Sequence, residues 1–157
     1  MSGVVVDGFL ADSVTAVDGK LYTLGMGWNR IFVPAIPARH DRIGIGLLFH
    51  LGPASSTREH RFAVRVETPS GGSVTLGSGP QGPIDQIEGG FTAASNGDVT
   101  VPFAMQLDGL PLEAPGRYAV VIALDGDDVK RLAFEVTLRG PAVTETEPPA
   151  TGTAGYL

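Results

Sequence analysis

The sequence predicts an all-β protein: an antiparallel, immunoglobulin-like β-sandwich of about seven or eight strands with one long glycine-rich loop. Apolar residues recur at every second position in run after run, the period of a strand with one buried face. Turn formers are abundant, with 22 Gly and 12 Pro among 157 residues, which favours many short elements over long helices. No segment carries the apolar period of an amphipathic helix. Strands with one-sided apolar faces bury them against each other, and two packed sheets are the simplest solution.

The first element is a hairpin. Asp18-Gly19 is a strong two-residue turn signal. The first arm is expected over residues 5–15 and the second over 19–31, with Tyr22, Leu24, Met26 and Trp28 on the buried face and Gly25 and Gly27 on the other. Trp28, the only tryptophan, is expected to plug the core, at a cost of about 3–5 kcal/mol on truncation to alanine. Pro34 and Pro37 then break the pattern, and residues 39–42 form a charged turn. A strand follows with Ile43, Ile45, Leu47, Phe49 and Leu51 on one face and Gly44, Gly46, Leu48 and His50 on the other. After a polar loop at 53–59, Phe62, Val64 and Val66 alternate with Arg65 and Glu67, a strand with one wet face.

From 69 to 97 the composition changes. Glycine stands at 71, 72, 77, 79, 82, 89, 90 and 97, and 74–76 is the one short strand candidate. So long a connection is either a variable surface loop or a lid or partner-binding loop. Order returns at Asp98, with Val99, Val101, Phe103, Met105 and Leu107 on one face and Pro102 marking an edge or bulge. Beyond a turn at 110–116, Tyr118, Val120, Ile122 and Leu124 lead through Asp125-Gly126-Asp127-Asp128 to Leu132, Phe134, Val136 and Leu138, a second hairpin. The domain is therefore expected over 1–139, with a disordered Pro/Thr-rich tail over 140–157.

Composition narrows the function. The net charge of −6 argues against nucleic acid and anionic membrane as partners, since both call for a cationic surface. There is no cysteine, so disulfides, thiol catalysis and cysteine–zinc sites are excluded. No apolar run reaches the roughly eighteen residues of a membrane helix, and the first residues lack the basic start and apolar stretch of a signal peptide. A cytoplasmic protein is expected. His40, His50 and His60, with Asp41 or Glu59, lack the short spacing of a metal site. The acidic turn at 125–128 lacks the alternating ligands of a calcium loop. Ser55, Ser56, Ser70, Ser73 and Ser78 sit in no nucleophile motif, and no phosphate loop is present. Neither a cofactor nor an enzyme activity is expected.

Two surface features remain. Arg39, Arg42, Arg58 and Arg61, with Arg30 and Arg65, crowd into a span where only Asp41 and Glu59 oppose them. Such a patch suits an acidic partner or complementary self-association, against the plainer reading of scattered, solvated arginines. Gly44, Gly46 and Leu48 on one strand, and Ala119, Val121, Ala123 and Ala133 on the closing hairpin, are small apolar residues at outward positions. They mark either an interface or a face covered by the 69–97 loop. The expected function is a non-catalytic protein-interaction or structural sandwich, self-associating or part of a larger assembly. The alternative is a small-ligand or carbohydrate-binding module using loops at one end, for which Phe91 is the one clear loop aromatic.

Three places also carry a family resemblance. Phe9-Leu10-Ala11-Asp12 with Asp18-Gly19-Lys20-Leu21-Tyr22 and Gly25-Met26-Gly27-Trp28 resembles the opening hairpin of a family of small uncharacterised bacterial β-sandwich proteins. His60-Arg61-Phe62 through Glu67 resembles its middle strand, and Leu110-Pro111-Leu112, Pro115-Gly116-Arg117-Tyr118 and Asp125-Gly126 resemble its closing hairpin. The resemblance spans most of 9–136 and implies a fold without an activity.

Overall fold

The alternation over residues 43–51 sets the centre of the molecule. It belongs to β5 (Ala38–Leu51), whose Ile43, Ile45, Leu47, Phe49 and Leu51 are all buried. In the computed structural model, which describes residues 3–139, β5 is the middle strand of a three-stranded sheet. It pairs antiparallel with β1 (Val4–Ala11) and β10 (Val99–Leu112). A second sheet of five strands faces it, in the order β4 (Arg30–Val33), β12 (Asp127–Leu138), β11 (Gly116–Leu124), β6 (Glu59–Glu67), β9 (Gln86–Thr92). Val64, Val66, Val120, Ile122, Leu124, Phe134 and Val136 bring the apolar face of this sheet against β5. Phe49 is the meeting point: its ring lies 5.0 Å from Phe91, 5.6 Å from Phe103 and 5.9 Å from Phe62, centroid to centroid. Spacings of this order are those of favourable aromatic pairs.

The all-β class holds, and the closing hairpin is as expected: β11 and β12 pair antiparallel about Asp125 and Gly126, both at positive φ. At the start of β11, Tyr118 is buried and its hydroxyl donates to the Ala114 carbonyl at 2.8 Å, which ties the preceding corner to the sheet.

Several expectations need correction. Among the described residues there are twelve strands rather than seven or eight. The sheets are not purely antiparallel, because β4 runs parallel to β12. The 69–97 segment is not a bare loop: it forms the small hairpin β7 (Gly77–Gly79) and β8 (Gly82–Ile84), then β9, which extends the larger sheet from β6. Small residues can occupy a strand when a neighbouring ladder supplies the backbone partners, and composition alone misses this. The expected tail at 140–157 lies outside the described residues.

The opening hairpin is shorter than expected and faces the other way. Residues 4–11 pair with β5, and the turn at Asp18-Gly19 joins β2 (Ser13–Val17) to β3 (Lys20–Leu24). Val14 is buried on Gly44, and the Gln106 amide donates to the Val14 carbonyl. That docking turns the Tyr22 and Leu24 side outward. Gly25 and Gly27 then take positive φ and end the strand, and the Gly27 N–H donates to Leu10 O at 3.0 Å. Trp28 therefore lies outside any strand. It is half-buried at the margin of the core, with its ring 6.3 Å from Phe134 and 6.0 Å from His40.

Candidate interaction surfaces

The outward side of the β2–β3 hairpin is apolar. Tyr22 is 57% exposed, Leu24 72%, Met26 59% and Val17 46%. The register places Leu24 opposite Ser13, Tyr22 opposite Thr15 and Lys20 opposite Val17, so Tyr22, Leu24 and Val17 share one face with a polar rim. A signal for this was present in the sequence. The hairpin carries apolar residues on both faces, Val14 on one and Val17, Tyr22 and Leu24 on the other, and a two-stranded ribbon buries only one.

The arginine-rich span does not form one patch. Arg39 and Arg42 lie on β5 beside β10, where Arg39 Nη1 donates to Gly109 O at 2.8 Å and Arg42 makes two bonds to Asp108, at 2.6 and 3.3 Å. Hydrogen bonding to Arg42 holds the Asp108 carboxyl below its ordinary range. Arg58 and Arg61 belong to the facing side of the fold. Arg58 lies 3.4 Å from Asp125, and Arg61 meets Glu59 at 3.7 Å with its own side chain 83% exposed.

The small outward residues are not bare. On β5, the Phe9 ring lies across Gly46, where a Cβ would collide with it, and Val14 covers Gly44. Leu48 is half-buried between Asp7 and Pro102. Gly46→Val is therefore expected to destabilise by about 1–3 kcal/mol through overpacking. Adding Phe9→Ala, which vacates the space, should recover most of that loss in urea unfolding. On the five-stranded sheet, Val121 and Ala119 are buried, while Ala123 and Ala133 are half-buried. Arg65 and Arg131 flank Val121 from the two neighbouring strands. Bonds from Arg65 to Asp128 (2.8 and 2.9 Å) and Glu67 (2.9 Å), and from Arg131 to Glu67 (2.6 Å), link the two arginines. Arg131, then Arg65, depress the Glu67 carboxyl; Arg65 depresses Asp128. Small residues at alternate positions in the sequence thus become the floor beneath a charge network.

Next to this network the same outer face dips. A depression of about 590 Å³ is lined by Ala63, Gly90 and Ala123 together with Glu59, Arg61 and Glu88. It touches the edge strand β9. Phe91 is not a loop aromatic as expected: it lies on β9, half-buried, in the cluster around Phe49.

Two histidines carry hydrogen-bond arrays. His60 is fully buried; its Nε2 donates to Ser55 O at 2.8 Å, and its Nδ1 lies 2.8 Å from Asp125 Oδ2. Carbonyl and carboxylate are both acceptors, so both contacts are hydrogen bonds only when both ring nitrogens carry hydrogen. Burial alone would raise the Asp125 carboxyl, yet the Arg61 N–H, the His60 ring and the Arg58 charge together hold it below its ordinary value. On the outer face of the three-stranded sheet, His50 bridges Asp7 (Nε2 to Oδ2, 2.9 Å) and Thr100 (Nδ1 to Oγ1, 2.9 Å). That array has the residue types of a nucleophile–base–acid set, spread across three strands where Asp7 is 64% exposed. Among the described residues, no three His, Asp or Glu side chains gather as a metal site, and no helix is long and apolar enough to cross a membrane.

Among known proteins, the model of a family of unknown function (DUF6941) matches residues 7–137. No curated protein matches the sequence. A solved structure similar to this chain is that of Pseudomonas fluorescens alkylpurine DNA glycosylase AlkC bound to DNA containing an abasic site analog, at 10% identity and a TM-score of 0.45. The match covers 85% of this chain and 30% of that one. The expectation that nucleic acid is not a partner is corrected on this finding, since a protein similar to this chain is one bound to DNA. Net charge sums over the whole surface and does not exclude a partner at any one face. At this degree of similarity neither the glycosylase's activity nor its partner is carried to this chain.

Proposed function

We propose that this chain, which belongs to the family of unknown function DUF6941, is a non-catalytic, immunoglobulin-like β-sandwich that works by protein–protein contact, through self-association or within a larger assembly. The observation that carries this is the outward face of the β2–β3 hairpin, where Tyr22 and Leu24 are each more than half exposed, with Met26, equally exposed, in the segment that follows β3. Apolar side chains that face water forgo their burial energy, and a group of them sharing one face of a hairpin is what a protein partner covers. Against catalysis stands the setting of the Asp7–His50–Thr100 array, which shares no residue with the depression at β9. The immunoglobulin-like assignment is supported by the sheet orders β1-β5-β10 and β9-β6-β11-β12, which match strands A-B-E and C′-C-F-G of such domains, and by Tyr118 at the corner before β11. A cytoplasmic location is part of the same proposal, supported by the absence of cysteine.

The test uses the full chain with a photo-crosslinking residue at position 24, irradiated in the native cell. Discrete crosslinked species are expected, and they should disappear when Tyr22 and Met26 are replaced by serine. Both side chains are more than half exposed, so those replacements should change stability by no more than about 0.5 kcal/mol each. Absence of any crosslink from position 24, in cells and in purified protein, would overturn the proposal.

A further inference from the structure

We infer that the open edge of β9 is a self-pairing site, where a second copy of this chain adds antiparallel to extend the five-stranded sheet. This rests on the reading of the chain as one that works by protein contact, and it concerns a different surface from the hairpin. β9 pairs with β6 on one side only, and among the described residues no backbone bond outside the ladders involves residues 86–92. Natural edges are commonly blunted by proline, lysine or a covering element. The sequence Gln-Ile-Glu-Gly-Gly-Phe-Thr of β9 has none of these residues, and its seven residues suffice for a stable ladder.

Charge and the glycine pair choose the occupant. Gln86, Glu88, Gly90 and Thr92 alternate to the exposed side. Gly90 lies directly across from Arg61, whose side chain is 83% exposed, and Glu88 lies across from Ala63. If two copies pair about Gly89, Glu88 of one stands opposite Gly90 of the other. Because opposite residues of an antiparallel pair share a face, the row then reads Arg61, Gly90, Glu88, Ala63 across the two copies. Arg61 and the other copy's Glu88 are two strand spacings apart, about 10 Å between backbones, within the combined reach of the two side chains. Gly90 has no side chain to block the passage. The symmetry makes the same contact twice, so the edge is complementary to itself. A foreign strand would meet the same backbone but would have to supply both charges in this register.

Sedimentation of the purified full chain over about 1–200 µM tests this. The wild type is expected to shift toward twice the monomer mass. Glu88→Arg and Arg61→Glu should each raise the midpoint concentration on the order of tenfold, since each sets like charges against each other at two symmetric places. The combined Glu88→Arg/Arg61→Glu variant should restore dimerisation. The chain has no cysteine, so Glu88→Cys/Gly90→Cys adds a direct check: mild oxidation should link two copies through these opposed positions. A strict monomer throughout the range would overturn the inference, as would a dimer indifferent to both charge reversals. Either result leaves the hairpin proposal standing, because its readout is crosslinking from position 24. Loss of that crosslink with the β9 dimer intact would overturn the hairpin surface alone.

Discussion

Phe49→Ala is expected to lower the unfolding free energy by about 3–5 kcal/mol, the upper range for truncating a buried aromatic. The side chain is fully buried in the central strand of the smaller sheet. It contacts rings from β6, β9 and β10, so its removal opens a void between both sheets. The void lies among β5, β6, β9 and β10, and a close-packed interior relaxes only partly into a cavity. A total stability of about 5–15 kcal/mol is usual for a domain, so the loss takes a large share of it. Trp28→Ala should cost clearly less than Phe49→Ala despite the larger ring, since Trp28 is half-buried and its indole Nε1 has no hydrogen-bond partner among the described residues. Urea midpoints of the two variants measured side by side check the order. If Trp28→Ala proved the more damaging, the tryptophan would be the core plug expected from the sequence, and its placement at the margin would be wrong.

Asp125→Ala should destabilise by about 3 kcal/mol at neutral pH. The substitution leaves His60 Nδ1 without its 2.8 Å partner in a fully buried position and removes the acceptor of the Arg61 N–H. It also places alanine at a φ of 51°, where Asp and Asn are better tolerated. Asp125→Asn keeps an acceptor and the turn geometry, so it should cost less. The pH dependence separates the charge from the hydrogen bonds. The Asp125 carboxyl is held below its unfolded-state value, so its charge contributes stability in full above that value. The contribution is lost as pH falls through the lower, folded value. Asp125→Asn removes this titration, and its stability should fall less steeply than the wild type's on the acid side of the carboxylate range. Glu67 and Asp128 are depressed in the same direction and will keep part of the acid slope. Thermal midpoints over the acid range measure both curves, and parallel curves would show that Asp125 titrates alike in the folded and unfolded chain.

Much of the candidate surface was legible in part. In the sequence the β9 edge shows only as part of a glycine-rich connection, where Gly90 is one glycine among several and Glu88 carries no signal, because their importance depends on Arg61 lying opposite. The four arginines were named, yet their grouping in sequence dissolved once the chain folded back on itself. Arg42 found Asp108 and Arg58 found Asp125, each carboxylate more than sixty residues away in the chain. Ion pairing at that range is set by strand register, which local composition does not encode.

The order of residues alone yields the all-β class, the two hairpin turns at Asp18-Gly19 and Asp125-Gly126, and the inward faces of β5, β6, β11 and β12. Those follow from local rules: a period of two marks a strand, and residues able to take positive φ mark the turns. Long-range packing selects which face of the β2–β3 hairpin looks outward, makes residues 86–92 an edge strand, and sets β4 parallel to β12. Alternation identifies two faces without saying which meets a core. That choice was made when Val14 seated on Gly44, and it left Tyr22, Leu24 and Met26 facing water.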